Sequence, residues 1–471
     1  MTAPAPPAPG PRRAEPSAPA RQVRIAPFVP DQRQQATHAA PIRTRRSLTG
    51  AGTPGVLRLL LTDLVAACVV WGALSAWTVG RHASAASEVV AASEPLSLAA
   101  QQMYQSLSDA DVTATTAILV GPPESLTARL RFDGDIANAA TDLARLRSAS
   151  AGSSDSVITA DLTAVSTGLP VYSQYVQEAL NWDTNGLPLT AGSSMQAASD
   201  VMHVTLLPAA NAIYVRQSAA LTAASAQATG LPWIVVTVLL AVAIGYVLLR
   251  SQRWLTRRTH RRINPGLLVA TAAVLISTIW LVAVFLSVRS DFNKGLGHGS
   301  TPAEELAQSV IAAQQARGDQ VLNVISRTGS TSFSADFTAE TQKIGPRPGS
   351  LLTTARASST GVGAAEAVAA ASAATAWYSV SAQVFQLDNA HQYAAEIARV
   401  IGTGPGSSEP GFTTLVAHLR RGIDADQAVF KSNAASGSGA FGGLEIGVII
   451  ATLLIATGSA WSLSRRLAEY R

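Results

Sequence analysis

Arginine supplies most of the recognisable chemistry in this sequence. Six arginines and no acid fall within residues 250–262, and three more close the chain in SRRLAEYR. A guanidinium offers five donors in a fixed fork that suits carboxylate and phosphate oxygens. Arg253, Arg257, Arg258, Arg261 and Arg262, with Arg465 and Arg466, are therefore candidates to meet anionic headgroups or an acidic partner. Arg129, Arg131 and Asp133, in TARLRFDGDI, could engage a charged ligand or partner; the plainer reading is a solvated helix face pairing with Asp133 and Asp135. Asp63 is an acid inside a long apolar run, where it is costly unless it faces protein or a cation.

No catalytic constellation accompanies these charges. The sequence contains no P-loop, no HExxH, no paired-cysteine site and no kinase signature. GTGPGSSEPG lacks the Lys-Ser/Thr that a phosphate loop needs, and reads as a connection between helices. The single cysteine, Cys68, allows no intrachain disulfide and reads as a packing residue. His203 and His418 read as helix-surface residues rather than metal ligands. The expectation is a non-enzymatic protein with no cofactor, no metal and no nucleic-acid partner.

The elements that position these residues follow from hydropathy. Only 14% of the 471 residues are charged, and 48% are hydrophobic; a soluble domain averages about 25% charged. Four runs, 55–80, 231–249, 267–288 and 443–464, are long enough to cross a bilayer as helices, since about 20 residues match a hydrocarbon core of roughly 30 Å. Within the bilayer each must satisfy its own backbone, which requires helix. Residues 1–54 hold eleven prolines, eight arginines and two acids. Such a segment is expected to be disordered.

Charge then orients the chain. Basic residues concentrate in the cytoplasmic loops of membrane proteins. The tail 1–54, the loop 250–266 and the tail 465–471 share one side if there are four spans, and all three are arginine-rich. Residues 81–230 carry six basic and thirteen acidic residues, and residues 289–442 carry eleven and twelve. Both termini are thus expected inside the cell membrane, with the basic loop against anionic lipids and two large segments outside.

Each outer segment reads as an antiparallel four-helix bundle. In 81–230 the helices are about 81–120, one from PPESLTARL to SASAGSSDS, about 154–182, and one from near GSSMQAASD into the second span. In 289–442 the first helix begins at Thr301–Pro302 with Glu304 and Glu305 in its first turn. SFSADFTAETQKI begins the second, an Ala-rich helix runs on through AWYSVSAQVFQLDNAHQYAAEIARVI, and FTTLVAHLRRGIDADQAVFKSN is the last. A Gly/Ser hinge, AASGSGAFGG, then precedes the fourth span. Similar order and spacing in the two segments suggest a duplicated unit. The fold class expected is an all-α integral membrane protein, with four transmembrane helices and two extracytoplasmic antiparallel four-helix bundles.

These bundles resemble the four-helix-bundle sensor modules of bacterial chemoreceptors and sensor kinases, although no HAMP linker, methylation helix or kinase domain follows any span. In layout over about 55–471, and in TRRTHRRINPGLL, ARGDQVLNVISRTG and RLAEYR, the chain resembles the GlnX-type actinobacterial four-pass membrane proteins. That resemblance implies two partners, an extracytoplasmic amino-acid-binding lipoprotein and a cytoplasmic serine/threonine protein kinase pathway (protein kinase G), and a relay between them. A helix packed continuously onto a span can carry a shift of an ångström or two inward. A structural tether for an envelope partner, or a transporter accessory subunit, are the competing expectations. Few intramembrane polar groups and no broken helix pair count against a transporter. Homo-oligomerisation stays open.

Overall fold

The computed structural model describes residues 53–121, 125–151, 155–259, 265–326 and 331–468. The tail expected to be disordered, 1–54, lies almost wholly outside these, as do Arg261 and Arg262. Among the described residues every regular element is helical. In chain order they are α1 Thr53–Glu88, α2 Glu94–Val120, α3 Ser125–Ser150, α4 Ser156–Thr184, α5 Pro188–Val201, α6 Leu207–Ala228 and α7 Pro232–Thr259. Then follow α8 Pro265–Gly295, α9 Thr301–Ser326, α10 Thr331–Ile344, α11 Leu351–Ser358, α12 Gly361–Asn389, α13 Tyr393–Ile401 and α14 Ser408–Ala468. Four of the helical runs are long and apolar enough to cross a membrane. The protein is an all-α membrane protein.

Among the described residues three single π-turns join helices that would otherwise be separate: Val89–Ser93 between α1 and α2, Met202–Leu206 between α5 and α6, and Leu296–Ser300 between α8 and α9. Each is closed by an i→i−5 bond, Glu94 N–H to Val89 O, Leu207 N–H to Met202 O and Thr301 N–H to Leu296 O. A proline stands two residues past the end of each: Pro95, Pro208 and Pro302. Proline lacks the N–H for an i→i−4 bond and crowds the carbonyl four residues back. Widening the preceding turn absorbs that misfit without ending the helix. Thr301–Pro302 therefore does not start a helix as expected; α9 continues from α8.

Three further boundaries differ from expectation. The Ala-rich helix breaks at Ala390–Gln392, where His391 takes φ 55°, and α13 follows. The Gly/Ser stretch before the fourth span is no hinge; α14 runs through it for 61 residues. Within it Gly437 serves close packing, since a Cβ there would press on the Phe292 ring at 2.9 Å; in the span beyond, a Cβ on Gly447 would collide with Trp280. The fourth helix of the first segment starts at Pro188 and does not run unbroken into the second span. Thr229, Gly230 and Leu231 interrupt it, and His82 Nδ1 on α1 lies 3.1 Å from Ala228 O at the break.

At span level Leu64, Cys68, Trp71, Ile244, Leu248, Leu267, Val274 and Ile455 pack inward. Val69, Val70, Leu239, Val242, Ile276, Ile279, Ile450 and Leu453 face outward and are exposed. An apolar girdle of this kind suits lipid rather than water. Trp77 and Trp233 meet edge to face at 4.9 Å, with the Arg81 guanidinium 5.6 Å from the Trp77 ring. This is the composition of a membrane–water boundary.

Beyond that boundary α2, α3, α4 and α5–α6 form one four-helix bundle around Met103, Leu107, Tyr172, Met195 and Ile213. Helices α9, α10–α11, α12 and α14 form a second, around Val310, Trp377, Phe412 and Leu419. Asp155 caps α4, accepting from Val157 N–H at 3.0 Å and Ile158 N–H at 3.3 Å. The two bundles touch along α2 and α9.

Candidate functional site: the polar seam between the bundles

A helix at the middle of an assembly is apolar on all sides if packing alone decides its composition. Helix α9 departs from that. It buries Ser309, Gln314, Arg317, Asp319, Gln320 and Asn323 together with its apolar residues. Buried polar groups are costly unless bonded; Ser309, Arg317, Gln320 and Asn323 find partners in the second segment, while Gln314 reaches across the seam to Asp109.

The seam begins near the membrane, where Lys431 of α14 lies 3.7 Å from Glu94 of α2. Further out, Ser218 of α6 donates to Glu304 of α9 at 3.2 Å. Next comes Asp109 of α2, which accepts from Gln314 of α9 and from Arg420 of α14. One carboxylate thus joins the first bundle to two helices of the second. Two residues on, Asp111 is buried and accepts from Tyr172 Oη at 3.3 Å, with His203 Nε2 at 3.1 Å. His203 stands on the π-turn between α5 and α6, and π-turns recur at functional positions. Glycine at 318 leaves α9 open where Asp111 approaches, its Oδ2 lying 3.6 Å from the place a Cβ would take.

Electrostatics along the seam favour bound protons. Burial works against charge on His203, but the hydrogen bond and charge of Asp111, with Asp319 and Glu340, overcome it and hold the imidazolium to about 9. Asp319 is 6% exposed. Burial pushes its carboxyl up to about 7; His203 opposes this, while Asp336, Glu340 and Asp111 add to it. Burial, then Asp109, raise Asp135 of α3 to about 6, against the pull of Arg131 and Arg420. Among the described residues no three His, Cys, Asp or Glu side chains converge as a metal would need.

The residues singled out from sequence fall in two places. Arg131 is exposed on α3 and acts on Asp109 and Asp135 at a distance. Arg129 is half-buried and Asp133 exposed, and among the described residues none of the three forms an ion pair, so the pairing expected within that helix face does not form. Arg253, exposed, and Arg257 and Arg258 lie near the end of α7, and Arg465 and Arg466 near the end of α14. These two ends close the same side of the span bundle. Asp63 does not face protein: its side chain is exposed on α1. Helical side chains lean toward the N-terminus, which aims this carboxylate back toward the start of α1. His203 and His418 are not bare surface residues, because each meets a carboxylate, His418 Nδ1 lying 2.6 Å from Glu366 Oε2. Asp109, Asp111, Asp319 and Arg420 escaped the sequence reading. Asp109 and Asp111 had a signal, the acid pair SDAD; Asp319 and Arg420 had none.

Residues 85–226 match the family model of the actinobacterial sensor domain. The match spans the first bundle and contributes the α2 side of the seam; α9 and Arg420 lie outside it. It supports a sensing role for a protein of actinobacterial type. No curated protein and no solved structure matches the chain.

Proposed function

We propose that this chain is a non-enzymatic transmembrane relay in the cell membrane. Both bundles face outward and both termini lie in the cytoplasm. It couples an extracytoplasmic amino-acid-binding lipoprotein to a cytoplasmic serine/threonine kinase pathway. The sensor-domain match and the resemblance to GlnX-type proteins support this reading. The observation that carries it is Asp109, which fastens the sensor domain to α9 and α14 at once. Both of those helices run on into spans, α9 through one π-turn and α14 with no break. A shift of α2 therefore reaches two spans through bonded contacts, and a partner biases the relay to the extent that it binds one arrangement better. The inner arginines, Arg253 to Arg262 and Arg465–Arg466, are the contacts assigned to headgroups and to the kinase pathway.

The test is kinase-pathway phosphorylation in intact cells supplied with or starved of amino acids. Asp109→Asn is expected to abolish the difference while the chain stays in the membrane at the wild-type level. A full response in that variant removes the relay and leaves a tether. Crosslinking from the same cells should recover a lipoprotein on the first bundle, and recovery of none contradicts the partner.

A further inference from the structure

Helix α13 is nine residues long and stands between two breaks. His391, at φ 55°, separates it from α12, and a glycine-rich turn with Gly406 at φ 87° separates it from α14. Isolated helices under about 12 residues are marginal in water, so α13 depends on its docking. Ile397, Val400 and Ile401 dock it on Val321 and Val324 of α9, Val384 of α12 and Leu119 of α2. It thus covers the end of the α2–α9 seam farthest from the spans.

One residue of α13 is out of character with that apolar contact. Glu396 is wholly buried, and both its carboxylate oxygens lack a hydrogen-bond partner. Among the described residues no cation forms an ion pair with it. Arg399, one turn on, donates instead to Gly406 O at 2.9 Å. Arg317 of α9 is taken up by Gln320, Ser408, Val400 O and Glu409 of α14. Asp319 of α9 belongs with His203 and Asp111. The last nine residues of α2 carry no titratable group. From α12 comes Asp388, which accepts from Asn323 at 2.9 Å and opposes charge on Glu396. An uncompensated carboxylate cannot stay ionised in such a place without large cost, and it neutralises instead. Burial, then Asp388, push this carboxyl up to about 7.

We propose that α13 is a proton-dependent latch: with Glu396 neutral it stays docked, and with Glu396 ionised it lifts and bares Leu119, Val321 and Val324 at the end of the seam. The sign follows from linkage. A carboxyl whose docked value is raised supports docking in full below its ordinary value near 4.5, and that support is lost as pH rises through about 7. The latch requires no partner and no signal passing inward, so it and the relay can fail separately.

Amide hydrogen exchange on the full chain in lipid nanodiscs tests this, read as protection relative to unfolded chain at the same pH. In the wild type, protection of α13 is expected to be lower than that of α12 and to fall at least about tenfold between pH 5.5 and pH 8.5. Glu396→Gln, neutral throughout, should keep at pH 8.5 the protection that the wild type shows at pH 5.5. Asp388→Asn removes the opposing charge and should shift the wild-type midpoint to lower pH. Equal protection of wild-type α13 at the two pH values overturns the proposal without any variant. So does a wild-type pH dependence in Glu396→Gln. Protection of α13 equal to that of α12 would mean that it opens only with its whole bundle, and overturns the latch as well.

Discussion

The two bundles share a plan and differ in where some of their charged groups find partners. In the second, Arg317 is fully buried, yet it donates to Gln320 at 2.7 Å, Ser408 at 3.1 Å and Glu409 at 2.7 Å within the bundle, and to Val400 O of the adjoining α13 at 3.1 Å. Trp377 Nε1 donates to the same Ser408 at 2.8 Å, and the Phe412 ring lies 5.7 Å from the guanidinium. In the first, Asp111 is bonded internally by Tyr172 and His203, but Asp109 draws its partners from the second bundle, and Asp135 forms no ion pair among the described residues. A charge compensated inside its own bundle fixes that bundle. A charge compensated across a seam, or not at all, leaves the bundle responsive to what lies beside it. Glu396 and Asp426 are the second bundle's exceptions. Burial, then Asp388, push Glu396 up to about 7, and burial pushes Asp426 up to about 6.

The sharpest way to break this contrast is Arg317→Ala. It strands Gln320, Ser408 and Glu409 around an empty site, and removing one member of such a buried set costs about 3–5 kcal/mol. Thermal unfolding in detergent should show a loss of many degrees. Arg317→Lys should recover little, because a point charge cannot reproduce four spread donor contacts. A mild effect would mean that the second bundle is not held from this residue.

Asp109→Ala comes next, at about 2–3 kcal/mol for a charge-assisted pair of bonds. Its signature is local. Hydrogen exchange should quicken along α2 and α9 and leave α12 unchanged. Equal quickening of α12 would show that the bundles are one rigid body and dissolve the comparison.

The spans were open to sequence reading because apolar length and arginine placement are local properties of the chain. Both bundles were legible for a related reason: their breakers, such as the glycine at 121 and 186, sit where the chain turns, at φ 71° and 75°. The continuity of helices across Pro95 and Pro302 was not. A proline within a helical pattern reads as a boundary, and the π-turn that absorbs it depends on packing. The same limit hid the seam. Asp109 and Arg420 stand 311 residues apart in sequence, and nothing in either local pattern says that they meet. Arg129 and Arg131 drew notice because charge stands out on a surface helix, yet the acid beside them, Asp135, lines an open cleft between α2 and α3.

Proton uptake offers a third way to sharpen the contrast. Asp135, Asp319 and His203 all have folded values above their ordinary ones, so each favours the folded state while protonated. Stability from the two aspartates is complete below about pH 4 and is lost as pH rises through about 6 and about 7. The His203 contribution is complete below about pH 6.5 and is lost as pH rises through about 9. The chain should therefore melt at a higher temperature near pH 6 than near pH 9, by on the order of 2 kcal/mol after allowance for the partial exposure of His203. His203→Gln should flatten the upper part of that slope. A flat profile in the wild type would deny the seam its electrostatic character.

The smallest expected effect is the most discriminating. Arg131 is exposed and forms no ion pair, so Arg131→Ala should change stability by no more than about 0.5 kcal/mol. Its charge nevertheless reaches Asp135 and holds that carboxyl lower than burial and Asp109 would leave it. Removing it should move the Asp135 titration, followed by carbon NMR of the carboxyl, above about 6 with little change in melting temperature. If the melting temperature drops by many degrees instead, Arg131 is a strut of the first bundle, and the carboxylate beside it is already compensated. If neither quantity moves, the guanidinium points to bulk water, and Asp135 is governed by burial and the seam alone.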